Sequence, residues 1–176
     1  MSTPPKSTPA ASFRIRQALL KDRDDVMYFH RALYQDYRSS LIAERFGRLY
    51  AYRDFGSVLA DDVDAMLRNP ATAILLAEVE GKAIGYITGY IETNSRRVLS
   101  RKGVVGDWFV SGGMRGLGAG QKLLDALMAI FRESGCSVAE IATWPFNTNT
   151  RRFIESAGFS EIQVTYRQEL GGPDES

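Results

Sequence analysis

The sequence predicts an α/β protein in three layers, a mixed sheet with helices on both faces, its elements running β-α-α-β-β-β-α-β-α-β. Three observations carry that expectation. Stretches with apolar residues at every second position alternate with stretches whose apolar residues recur three and four apart, the periods of strand and helix. Two of the strand-like stretches are joined by Gly81-Lys82, a hairpin connection that makes one pair antiparallel. The 176 residues are 44% hydrophobic and 24% charged, which suits one domain around a real core and leaves little room for a second.

Taken in order, residues 1–12 hold three of the six prolines and no large apolar side chain beyond Met1, so they read as a disordered tail. Phe13-Arg-Ile-Arg-Gln-Ala alternates and reads as the first strand. Asp22-Arg-Asp-Asp reads as an N-cap with an acidic first turn, followed by Val26, Phe29, His30, Leu33 and Tyr37 on one helical face. Residues 38–55, rich in Arg and Tyr, keep no single period and read as helix and loop together. Ser57 is the expected cap of a second helix, with Leu59, Val63, Met66 and Leu67 on one face and Pro70 beyond its end. Residues 73–80 and 83–92 are the hairpin strands. A basic loop with Arg96, Arg97, Arg101 and Lys102 then leads to a strand over 104–110. After a glycine-rich turn, residues 121–133 align Leu124, Leu127, Met128 and Phe131 as a helix face. Residues 137–144 read as a strand, 148–157 as a short helix and 161–170 as a last strand. Residues 171–176 read as a second tail, which leaves 13–170 as a single domain.

Composition narrows the function. Twenty-two Lys and Arg against twenty-one Asp and Glu leave a net charge of +1, without the basic excess of a nucleic-acid binder. Cys136 and His30 are each the only residue of their kind, so neither a disulfide nor a Cys/His metal cage is expected. Apolar runs such as 73–77 are too short to span a bilayer and the start lacks a secretory apolar stretch, which predicts a cytoplasmic protein without a membrane partner.

Arg115-Gly-Leu-Gly-Ala-Gly120 stands between a strand ending at Val110 and a helix starting near Gln121. Glycines there let backbone approach a ligand closely, and the unpaired N–H groups of a helix start favour phosphate oxygens. A P-loop would need Gly-Lys-Ser/Thr, but Gln121 and Lys122 follow Gly120. A dinucleotide fingerprint would need G-x-G-x-x-G near the start of the fold, and this turn has neither the spacing nor the place. What remains is R-x-x-G-x-G, and here the sequence resembles the GNAT superfamily of acetyl-CoA-dependent N-acetyltransferases. Asp107-Trp-Phe-Val is similar to that family's acidic-aromatic fourth strand. Asn147-Thr-Asn-Thr150-Arg-Arg-Phe-Ile154-Glu-Ser-Ala-Gly158-Phe159 is similar to its N-x-x-A-x-x-x-Y-x-x-x-G-F pattern.

The resemblance covers residues 13–170 and implies a mostly antiparallel mixed sheet whose fourth and fifth strands splay apart. It implies acetyl-CoA as acyl donor and direct transfer of acetyl to a small primary amine or a protein amine, with no metal. The backbone N–H groups of Arg115, Gly116, Leu117, Gly118, Ala119, Gly120 and Gln121 would cradle the pyrophosphate. Trp108, Phe109 and Val110 would lie along the acetyl-pantetheine, with the Val110 amide polarising the thioester carbonyl. Asn147 would meet the arm from the other side, and Arg152 would reach a phosphate. Asp107 is the acid carried over as catalytic base, with a satisfied strand-end side chain as its structural alternative.

This chain also departs from the pattern. The family's thiolate-protonating tyrosine aligns with Ile154, which leaves Tyr166 and Tyr90 as conceivable donors and keeps a second reading open, a non-catalytic acyl-CoA sensor or interaction module. Gly106 stands where polyamine acetyltransferases often carry a Glu, and Gly112-Gly113 replaces a Pro-acid pair. Arg45, Arg48 and Arg53 with Tyr50 and Tyr52 suit a carboxylate-bearing or aromatic acceptor. His30 reads as a structural histidine, Cys136 as a small junction residue and Trp144 as core filler. A homodimer through the sheet edge or the last strand is expected from the resemblance alone.

Overall fold

The computed structural model describes residues 12–36, 47 and 51–168. Five strands form one sheet in the order β1-β2-β3-β4-β5: β1 Arg14–Gln17, β2 Thr72–Val79, β3 Lys82–Thr93, β4 Arg101–Val110 and β5 Val138–Ile141. The first three pairings are antiparallel and the last, β4 with β5, is parallel. Four helices accompany it: α1 Arg23–Asp36, α2 Phe55–Arg68, α3 Ala119–Glu133 and α4 Thr148–Ser156.

Strand alternation sorts the side chains into two cores. On one face Ile74, Leu76, Tyr86 and Phe109 pack against Val26, Phe29 and Leu33 of α1 and Val63 of α2. On the other, Leu75, Ala77, Ile87 and Val105 meet Leu123, Leu124, Leu127 and Phe131 of α3. Because both faces are covered, β2 is buried continuously from Ile74 to Glu78, which is why its sequence reads as an apolar run. Each fully buried Leu or Phe in these cores contributes roughly 1.5–3 kcal/mol over an exposed one.

Two irregularities position the site. The β3–β4 register shifts between Ile87 and Gly89, and within that shift Thr88 Oγ1 accepts the Asp107 N–H at 2.8 Å. The β4–β5 ladder ends at Val105↔Ile141, so the last five residues of β4 run on with no β5 partner.

The structure corrects several sequence expectations. Residues 161–168 form no strand, and Ile162, Val164 and Tyr166 stand exposed. An alternating pattern fits a pleat, but a strand also needs an edge to pair with, and among the described residues the segment takes none. The second helix is capped by Asp54, whose carboxylate accepts the Ser57 N–H at 3.2 Å, so Ser57 lies inside the helix. Asp22 closes a 3-10 turn, Leu20–Asp22, with its carboxylate turned back to the Leu19 N–H at 2.8 Å and to Arg16. Arg101 and Lys102 belong to β4, and Lys102 pairs with Glu140 and Glu92. The fifth strand covers only Val138–Ile141, and α3 begins two residues early, at Ala119. Trp144 is 36% exposed and stacked on Phe146 rather than filling the core. Residues 1–11 and 169–176, and the acceptor residues Arg45, Arg48 and Tyr50, lie outside the described residues.

Candidate active site

The gap beyond Val105 and Ile141 is the centre of the site. Ser111 N–H donates to Ile84 O on β3 at 2.9 Å, and strand backbone alternates, so the N–H groups of Val110 and Trp108 point to the opposite, unpaired edge. The Trp108 side chain meets Phe153 of α4 edge-on at 4.8 Å and lies under the α3 start, where a Cβ on Gly120 would approach its ring to 3.3 Å. Phe109 faces the other way into the α1 core, so it offers the gap only backbone.

Across the gap, Asn147 is buried and caps α4, its Oδ1 accepting the Thr150 N–H at 3.3 Å. Thr143 Oγ1, just past the end of β5, is buried without a hydrogen-bond partner among the described residues. Ile154 is buried on α4, and the tyrosines that were alternatives to it lie elsewhere. Tyr166 is 90% exposed in the unpaired segment, and Tyr90 sits opposite Val104 on β3.

The glycine turn meets this gap at its open end. Gly116 and Gly118 hold φ of +78° and +93°, a region disfavoured for other residues, and a Cβ on either would meet open space. Gly118 is the N-cap of α3, and the Lys122 N–H bonds back to Gly118 O at 3.1 Å. The N–H groups of Ala119, Gly120 and Gln121 therefore have no intrahelical acceptor and present a positive helix end. The Arg115 side chain does not enter this cradle. It donates to Val110 O at 2.8 Å and to Asp36 at 2.5 Å, and lies 5.2 Å from the Phe109 ring, fastening the turn to β4 and α1. Arg152 is exposed in α4, beside the Phe153 that packs on Trp108. An open N–H cradle, an unpaired strand edge and an orphaned hydroxyl suit a long ligand ending in phosphates, so the residues present fit a coenzyme A thioester.

Asp107 lies on the α1 side of β4 with its side chain 26% exposed. Its Oδ2 is 2.8 Å from His30 Nδ1 and accepts from the Tyr86 hydroxyl at 3.1 Å. Tyr34, edge-on to His30, accepts a hydrogen bond from the Tyr52 hydroxyl at 2.9 Å, and burial pushes the Tyr34 hydroxyl far above the usual phenol range. Sequence reasoning named Asp107 but missed His30, Tyr86 and Tyr34 as its neighbours. The available signal was polar: a His on an apolar helix stripe and a Tyr inside a buried strand each need a partner. Gly106 is fixed by packing, since a Cβ there would come within 2.6 Å of Thr88 Oγ1, the atom that holds the Asp107 N–H.

Comparison with known proteins identifies the family and the fold. The model of the acetyltransferase (GNAT) family matches residues 27–159. An uncharacterized N-acetyltransferase of Archaeoglobus fulgidus is 30% identical over 160 residues, spanning 86% of this chain and 93% of that protein. Among solved structures, a tetramutant protein of Bacillus halodurans superposes with a TM-score of 0.76 at 18% identity, covering 89% of this chain and 99% of its own. The aminoglycoside N-acetyltransferase AAC(6')-Iy in complex with CoA does so with 0.71 at 18%, covering 94% and 100%. At such identities the structural likenesses speak for the fold, whereas the sequence match spans most of the chain. The chain therefore belongs to the acetyltransferase (GNAT) family, as an acetyl-CoA-dependent N-acetyltransferase.

Proposed function

We propose that the acetyl group passes directly from acetyl-CoA to a small primary amine or a protein amine in the gap beside β4, with Asp107 as proton acceptor. The observation that carries this reading is the convergence of the unpaired β4 edge, the open N–H cradle at the α3 start and a part-exposed carboxylate on the same strand. The N–H groups from Gly116 to Gln121 bind the pyrophosphate, while that of Arg115, expected among them, is donated to Gly112 O at 3.3 Å, and Trp108, Phe109 and Val110 line the pantetheine with backbone. The Val110 N–H polarises the thioester carbonyl, Asn147 borders the arm, and Arg152 takes a phosphate.

The thioester supplies an activated carbonyl. The amine nitrogen bonds to its carbon, the C–S bond breaks and coenzyme A leaves as thiolate. An alkylammonium of pKa about 10.4 must lose one proton to become nucleophilic and a second as the amide forms. One of the two ends on the thiolate and one is released. A carboxylate is a weak base toward a free ammonium, but nitrogen becomes strongly acidic as its bond to carbon forms, and at that stage Asp107 suffices. Ile154 gives no proton, so the proton that ends on the thiolate is relayed to it through solvent. The carboxylates Asp107 and Asp62 stand on either side of the His30 ring and are both partly exposed, which suits an acceptor entering as a cation. Two copies of the chain assemble through the exposed 161–168 segment.

Calorimetry with acetyl-CoA, followed by thiol release across a panel of amines, tests the reading. Asp107→Asn should lower kcat by about a hundredfold with unchanged acetyl-CoA affinity. Full turnover in that variant removes Asp107 as the acceptor of the proton, and no binding of acetyl-CoA by the parent protein removes the cradle.

A further inference from the structure

His30 is 3% exposed, yet the described residues leave one of its ring nitrogens without a hydrogen bond. On one side, Nδ1 faces Asp107 Oδ2 at 2.8 Å and the Tyr86 hydroxyl oxygen at 3.1 Å. The Tyr86 proton is committed to Asp107, and an ionised carboxylate only accepts, so Nδ1 carries the ring hydrogen. On the other side, Nε2 is buried and makes no hydrogen bond, with Asp62 Oδ2 of α2 3.9 Å away. In the neutral ring that lone pair is an unsatisfied buried acceptor aimed at a carboxylate. In the protonated ring each N–H has an anion before it, Asp107 from β4 and Asp62 from α2.

We propose that His30 is the positioning residue of the Asp107 proton acceptor, and that its protonation state sets the activity of that carboxylate. This rests on Asp107 being the acceptor of the amine proton. Neutral His30 holds Oδ2 through Nδ1–H and leaves Oδ1 for the incoming amine. As the pH falls, Nε2 takes a proton, and the imidazolium beside Asp107 stabilises the carboxylate charge and lowers its basicity. Activity is therefore lost on the acid side when His30 takes up this second proton. The other described titratable groups around the ring are Tyr86 of β3, bonded to Asp107, and Tyr34 of α1, whose hydroxyl stays protonated through neutral pH. Neither competes with His30 for the transition.

The test is a pair of substitutions read by pH–rate profile. His30→Asn can keep an N–H where Nδ1 stands but cannot take up a proton, so it should retain kcat within about tenfold while its acid limb moves to lower pH. His30→Ala should lose roughly a hundredfold in kcat with an unchanged KM for acetyl-CoA, because the coenzyme cradle lies on other elements. Melting temperature and acetyl-CoA titration establish that both are folded, and Asp107→Asn is measured beside them. If Asp107→Asn is inactive while His30→Asn keeps the parental acid limb, the role of His30 is overturned and that of Asp107 stands. If Asp107→Asn is fully active, the assignment of Asp107 fails and this inference with it.

Discussion

At the scale of single residues, the chain separates groups that meet a ligand from groups that hold others in place. Arg115 belongs to the motif of the proposed coenzyme site, yet its guanidinium is spent on Val110 O, Asp36 and the Phe109 ring. The Arg115–Asp36 pair is exposed and adds little to stability. Arg115→Ala should therefore shift the melting temperature by only about two degrees. It should nevertheless raise the KM for acetyl-CoA several-fold, because the turn loses its fastening to β4. Thermal melts and initial rates on one preparation check both halves. Gly118 is the opposite case, a position where the backbone itself is the proposed functional group. Its φ of +93° costs any other residue roughly 1–2 kcal/mol, and the space above it is open. Gly118→Ala should pay that strain and keep measurable coenzyme binding, whereas Gly118→Trp should pay it and lose binding. Calorimetry distinguishes the two.

At the scale of elements, close approach between α3 and the sheet depends on missing side chains. A Cβ on Gly103 would fall into the Phe131 ring, and one on Gly89 would lie 2.8 Å from Phe131 Cζ. Gly103→Ala should cost about 1–3 kcal/mol by overpacking, and Phe131→Leu in the same chain should recover part of it. Denaturant unfolding of the two single variants and the double gives the coupling. The joint between β1 and α1 is electrostatic instead. Arg16 donates to Asp22 at 2.7 and 2.9 Å and to Glu78 at 2.7 Å. Chiefly through that bond to Arg16, the Asp22 carboxyl is held below the usual carboxylate range. A lowered folded-state value means the contribution is complete above the unfolded value near 3.8 and is lost as pH falls through the folded one. Asp22→Asn should cost about 2 kcal/mol at neutral pH and less at strongly acid pH. Stability measured against pH tests that convergence.

At the scale of the whole molecule, one apolar surface has no cover among the described residues. Ile162, Val164 and Tyr166 point outward from a segment with the alternation of a strand and no strand partner, while β5 is the outer strand of the sheet with its far edge open. Unpaired edges invite pairing between chains. The proposed dimer predicts that Val164→Lys shifts sedimentation from two copies to one without lowering the melting temperature of the monomer. A parent protein that sediments as a monomer at tens of micromolar would remove the proposal.

How much of this was legible before the fold depended on the range of the interaction involved. Helices, strands and the glycine turn are written in patterns a few residues long, so the apolar stripe of α3 and the Gly116-Leu-Gly118 turn could be read directly. The cradle's place between β4 and α3 followed from order along the chain. Caps and strand ends were misplaced by two or three residues where local side chains compete, as Asp54 and Ser57 do for one helix start. The last strand was misread because alternation is local and pairing is not.

By itself, then, the sequence determined the α/β order, the two amphipathic faces that cover the sheet, and the backbone cradle, since each is set by neighbours in the chain. Only the tertiary structure decided what surrounds Asp107. His30 and Tyr86 reach it from α1 and β3, 77 and 21 positions away by the difference in residue numbers, and Asp62 of α2 stands 3.9 Å from the far nitrogen of His30. The buried contacts of a titrating group are chosen by how helices pack across a sheet, and no spacing along the chain encodes that choice.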